Sequence, residues 1–175
     1  DSNPSNSYDF SYEVHPEYAA YFTAGAVSHS DISIATGSGT QTLYFPITQI
    51  QGYNDVTVSI VTTGQPTAGF SHANKIVYKN LGTAAASGTI TYSKDPSVTV
   101  ASNVVGLTST PDGFTYSFIN LAPFETRSFN FTINVPSIPV VNIDDVFTSS
   151  VSIAAPADVI NMENNSFVNS QIVGA

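Results

Sequence analysis

Residues 127–135, RSFNFTINV, place Phe129, Phe131, Ile133 and Val135 on one side of an extended chain and Ser128, Asn130, Thr132 and Asn134 on the other. Side chains of a β-strand alternate across the sheet, so this two-residue period specifies a half-buried strand. The same pattern recurs along the chain, and no stretch of useful length shows a helical period. The expected fold class is therefore all-β: an antiparallel immunoglobulin-like β-sandwich preceded by a smaller β domain, complete or partial.

Taken in order, residues 1–7 read as a polar leader, a turn or frayed arm around Asn3-Pro4. Strands are expected at 8–14 (YDFSYEV), at 17–24, where Tyr21-Phe22-Thr23 favours strand over a short helix, and at 30–35, with Ile32 and Ile34 inward. A longer strand is expected at 40–50, its Pro46 marking an edge or a bulge. That makes about four strands, where a sandwich takes about seven, so this part is expected to be incomplete or to borrow a strand.

Gly52-Tyr53-Asn54 is the expected boundary, dividing the chain into 1–53 and 54–175. Beyond it about eight strands follow, at 55–62, 69–79, 89–93, 98–105, 114–119, 127–135, 145–154 and 166–173, separated by turn signals such as Pro111-Asp112-Gly113. Residues 137–142 are expected to bridge sheets and 156–165 to form a loop. Residues 75–96 read as a central hairpin around the small residues 84–87. Ile76 and Tyr78 share one face of it, and Lys75, Val77 and Lys79 form a solvated basic face.

Charge removes several functions. Four Lys and Arg against thirteen Asp and Glu leave a net charge of −9, the wrong sign for nucleic acid or an anionic membrane. Cysteine is absent, so disulfides, thiolate metal sites and cysteine nucleophiles are excluded. No apolar run approaches the roughly 18 residues of a membrane span, so no membrane insertion is expected. The opening DSNPSNS has neither a basic nor an apolar signal region, so if the protein is exported its signal is expected upstream.

Three phrases then carry a resemblance: KIVYKNLGTAAASGTITYSKDP, DGFTYSFINLAPFETRSFNFTINVP and NMENNSFVNSQIVGA. In this order they resemble a repeat-type immunoglobulin-like sandwich domain, conserved-repeat or CARDB-like, of large secreted Bacteroidetes surface proteins, which often carry type IX secretion signals. Tyr78, Lys79, Asn80, Gly82, Thr83, Leu121, Pro123, Phe124, Glu125, Arg127 and residues 164–167 carry the match, which covers about residues 55–174. Residues 40–50 also resemble the last strand of a prealbumin-like or Cna-B-like domain. The resemblance implies an extracellular or cell-surface location, a spacer, adhesion or assembly role, and no enzyme activity.

The residues themselves offer few chemical sites. His15, His29 and His72 fall on separate elements and no G-x-S-x-G elbow exists, so catalysis is not expected. Zinc spacings are missing. Oxygen ligands cluster at 142–145 and 158–165, and Asp144, Asp145, Asp158 and Glu163 would share a calcium ion if the two loops met at one end of the sandwich. The same residues also serve simply as turn formers, which is the favoured reading. Glu125 and Arg127 point the same way and are expected to pair at the surface or tie the corner to a neighbour such as Lys79 or Asp112.

Tyr8, Tyr12, Tyr18, Tyr21 and Tyr53 are candidates for a sugar-stacking platform, although alternating aromatics more often fill cores. The expected partners are other proteins or further copies of the chain, joined through open sheet edges by residues 1–14 or 166–173, with surface glycans as the alternative. The leading expectation is thus a structural or adhesive module, in its sharpest form a fibre subunit. The alternative is a carbohydrate-binding module of a secreted hydrolase.

Overall fold

The computed structural model of the protein describes residues 6–50, 52–155, 158 and 161–174. The leader assignment for residues 1–7 lies mostly outside the described residues. Contacts divide the chain into two units, Asp1–Tyr53 and Asn54–Ala175.

The first unit holds β1 (Ser7–Ser11), β2 (Phe22–Ala24), β3 (Ser28–Ser33) and β4 (Ile47–Gln49). They form two separate two-stranded ladders, β1 with β3 and β2 with β4. The strand expected at 17–24 is present only at its end, as β2, and is corrected at its start: Pro16–Tyr18 makes a 3-10 turn, closed by the Tyr18 N–H donating to the His15 carbonyl at 2.8 Å. Proline's fixed φ suits such a first turn. The long strand expected at 40–50 shrinks to β4, which starts only after Pro46, a residue with no N–H to give a ladder. Tyr21 is the one buried apolar residue described in this unit.

The second unit is an antiparallel immunoglobulin-like β-sandwich. Its strands are β5 (Val56–Thr62), β6 (Ser71–Asn80), β7 (Ala86–Ser93), β8 (Thr99–Ala101), β9 (Leu107–Thr110), β10 (Gly113–Leu121), β11 (Thr126–Asn134), β12 (Val146–Ala154) and β13 (Ser166–Ile172). One sheet runs β13-β12-β7-β10-β9 and the other β5-β6-β11-β8. Alternation decides the inner faces: Val56, Val58 and Ile60 from β5, Ile76 and Tyr78 from β6, and Phe131 and Ile133 from β11 meet Ile90, Tyr92, Phe114, Phe118, Val151 and Ile153 from the facing sheet. Tyr92 stacks on Phe114 at 4.9 Å between ring centres and lies 4.7 Å from Phe131. Each such side chain contributes about 1.5–3 kcal/mol through burial.

Two expectations change. Residues 75–96 do not form a hairpin, because β6 lies between β5 and β11 in one sheet and β7 between β12 and β10 in the other. The crossing is clamped by the fully buried Asn80, whose Nδ2 donates to the carbonyls of Ala84 (2.8 Å) and Leu121 (2.9 Å) while its Oδ1 accepts the Gly82 N–H (2.8 Å). The strand expected at 98–105 is only the three-residue β8, and β9 follows it unannounced. Of β9 only Leu107 is even half-buried, so it shows no apolar alternation to read.

Candidate functional site

The residues suggested for calcium do not converge. Asp144 and Asp145 precede β12, whereas Asp158 and Glu163 follow it, and a nine-residue strand separates the two groups by about 27 Å. Asp145 serves the local turn instead: its Oδ2 accepts the Asn142 N–H at 2.8 Å, and its carbonyl accepts the Val173 N–H. Glu163 is exposed on the 3-10 turn Met162–Asn165. Among the described residues no group of three or more His, Asp or Glu side chains gathers to hold a metal ion.

Asp158 does belong to a buried polar group that residue spacing alone does not show. It is only 5% exposed, and its Oδ2 accepts the Val56 N–H at 3.0 Å at the start of β5. The neighbouring Asp55 is fully buried and accepts Asn164 Nδ2 at 2.9 Å, while the Asn164 carbonyl accepts the Thr57 hydroxyl at 3.1 Å. Asp55 read in the sequence only as the first residue of a strand. The one available signal was an acid directly before three inward valine and isoleucine positions.

Glu125 and Arg127 pair as expected, with Nε to Oε1 at 2.7 Å and Nη2 to Oε2 at 3.0 Å. Their second partners are the corner's own backbone, and neither Lys79 nor Asp112. Arg127 donates to the carbonyls of Ile119 (2.9 Å) and Asn120 (2.8 Å), and Glu125 accepts the Ala122 N–H (2.7 Å). Asn120 and Phe124 both sit at positive φ, 48° and 61°, so the bidentate pair holds a backbone that disfavours itself. The Arg127 guanidinium holds the Glu125 carboxyl below its usual range. Burial, with Tyr116 alongside, pushes the Tyr78 phenol up to about 12, so it stays neutral.

Each histidine has its own neighbour. His29 Nε2 lies 2.9 Å from the Tyr44 carbonyl, His15 faces Tyr18, and His72 is buried near Gln171 with its pKa lowered by burial. Of the suggested tyrosines, Tyr21 is withdrawn into an edge-on contact with Tyr53 at 4.7 Å. Tyr12 and Tyr18 come together with Glu13, His15, Phe22 and Ile47 around an apolar hollow of about 240 Å³. The Tyr12 hydroxyl is buried and has no partner among the described residues.

A larger groove, of about 530 Å³, runs along β11 beside residues 101–104. All nine residues of β11 pair with β6, but β8 covers only Thr132, Ile133 and Asn134 on the other side. Residues 126–131 therefore have no ladder partner on that side among the described residues. The Asn130 carbonyl faces it and accepts the Ser102 hydroxyl at 3.3 Å. Phe129 and Tyr116, 4.7 Å apart, are only half-buried behind this edge.

No protein-family model and no curated protein matches this chain. Among solved structures it is similar to the CARDB domain of a Pyrococcus furiosus protein, solved in complex with di-metal ions. There the identity is 16% and the TM-score 0.48, over 70% of this chain and 90% of that one. It is similar to the Salmonella SafD adhesin at 12% identity and a TM-score of 0.39, over 69% and 99% of the two chains. A β-glucosidase from Listeria innocua is similar at 12% identity and a TM-score of 0.34, over 75% of this chain but only 17% of the enzyme. At such values the likeness transfers no ligand, activity or partner to this chain.

Proposed function

We propose that the chain is a non-enzymatic structural or adhesive module of an extracellular or cell-surface protein, joined to its partner by strand addition. The observation that carries this is the open edge of β11: a nine-residue strand with a three-residue neighbour, a groove beside it, and half-buried aromatics behind it. An added strand gains main-chain hydrogen bonds along such an edge and covers the apolar side chains behind it. The resemblance of the three sequence phrases to repeat domains of secreted Bacteroidetes proteins supports the location. Export by a type IX route and assembly into a fibre are parts of the same proposal.

The test removes the edge donor. Successive residues of a strand turn their main-chain groups to opposite sides, so the Ser128 N–H faces the same open side as the Asn130 carbonyl. Ser128→Pro leaves the β6 ladder intact and deletes that donor. Sedimentation and electron microscopy should show self-association of the native chain that this variant loses at an unchanged melting temperature. A native chain that stays monomeric at high concentration would remove the fibre form of the proposal.

The apolar hollow favours a second reading, binding of a carbohydrate. Tyr12 and Tyr18 offer faces for a sugar ring, and the unpartnered Tyr12 hydroxyl offers a hydrogen bond. A glycan array in which binding disappears with Tyr12→Ala and Tyr18→Ala would select this reading over strand addition.

A further inference from the structure

The strongest unexplained feature is a set of oxygen atoms at the start of β5. Asp158 is more than nine-tenths buried, and its Oδ1 has no hydrogen-bond partner among the described residues. The Oδ1 atoms of Asn164 and Asn165 are likewise buried and without a partner there. Asn164 is oriented by its Nδ2, which donates to the fully buried Asp55, and the 3-10 turn Met162–Asn165 is seated by the Thr57 hydroxyl on the Asn164 carbonyl. The backbone N–H of Val56 holds the other Asp158 oxygen at 3.0 Å.

All three spare atoms are acceptors. Supplying more acceptors does not satisfy them; a cation or a donor does. An ionised carboxylate removed from water persists when it is paired, hydrogen-bonded or bound to a metal. The salt bridge present among the described residues joins Glu125 to Arg127, so no cationic side chain is bonded to Asp158 there. Two carboxylates with two amide oxygens form a hard, all-oxygen set of mixed charge. That suits calcium, which takes six to eight oxygens in adaptable geometry, better than magnesium, which demands a strict octahedron and keeps its waters.

We propose that Asp55, Asp158, Asn164 and Asn165 form a calcium site that ties the turn before β13 to the first residues of β5. Water or backbone carbonyls complete the coordination. The site differs from the four acids suggested by the sequence in keeping only Asp158, and it needs no third acid.

The experiment is calorimetric titration of the chelator-treated full chain with calcium chloride, alongside thermal melts in calcium, in magnesium and in chelator. One calcium per chain and a melting temperature raised by calcium more than by magnesium are expected. Asp158→Asn should weaken calcium at least tenfold, and Asn165→Ala, a milder change on the turn, should weaken it measurably without unfolding the chain. Asp144→Asn with Asp145→Asn, at the other end of β12, should leave binding unchanged. Absence of heat and of any melting shift in the native chain would overturn the site. So would loss of binding in the Asp144/Asp145 variant alone, or a rise in stability of Asp158→Asn with no response to calcium in the native chain, the signature of an uncompensated buried carboxylate.

Discussion

Both units contain alternating sequence, yet only one builds a core. In residues 54–174 the inward positions of two sheets meet, and all the buried apolar residues described besides Tyr21 belong there. In the first unit YDFSYEV alternates as cleanly as many strands of the sandwich, but β1 pairs only with β3, and Phe10 remains 39% exposed. A two-stranded ladder has no second layer to bury its apolar face and is marginal in water on its own. Alternation specifies a face; a facing sheet turns it into stability.

The sharpest way to break this contrast is in the sandwich centre. Phe114→Ala, which removes contacts with Tyr92 and Phe131, should cost about 3–5 kcal/mol in urea denaturation. A loss below about 1 kcal/mol would mean the two facing sheets are not the source of stability. Next comes the crossing between sheets: Asn80→Ala leaves buried backbone groups unpaired, and a loss of about 1–3 kcal/mol is expected by the same measurement.

A smaller and pH-dependent effect is expected at the corner. Because the Glu125 carboxyl lies below its ordinary value of 4.5 in the folded chain, its contribution is present above that value and disappears as the pH falls through the folded one. The gap in melting temperature between the native chain and Glu125→Gln should therefore be visible at pH 6 and close on acidification. A gap that widened in acid would contradict the pairing. The smallest effect on the sandwich belongs to the other unit. Tyr21→Ala should change the near-ultraviolet signal of the Tyr21–Tyr53 contact while shifting the sandwich transition by less than about 0.5 kcal/mol. If Tyr21→Ala and Phe114→Ala moved one transition equally, the contrast between the units would collapse.

Much of the sandwich was legible because its signal is local. The inward sets Val56-Val58-Ile60, Phe114-Tyr116-Phe118 and Phe129-Phe131-Ile133 follow from alternation alone. The Pro111-Asp112-Gly113 turn was also visible, although the β9 strand before it was not, since LTST at an exposed edge carries no apolar period. The corner pair was legible as a pair, but its partners on residues 119, 120 and 122 required the bend itself. Of the proposed calcium ligands, Asp158, Asn164 and Asn165 lay in the oxygen-rich 158–165 stretch, with Asp158 alone chosen as a ligand, whereas Asp55 could not be joined to them because it lies about a hundred residues away along the chain.

The residues by themselves determined an all-β chain, the apolar face of most sandwich strands and an acidic net charge of −9, since side-chain alternation and charge need no knowledge of the fold. The tertiary structure alone decided that 75–96 passes between sheets, that β11 keeps an open edge, and that Asp158 and Asn164 come together with Asp55 and Val56 at the start of β5. Those outcomes depend on which distant strands pair and which buried groups, Asn80 above all, clamp the crossings.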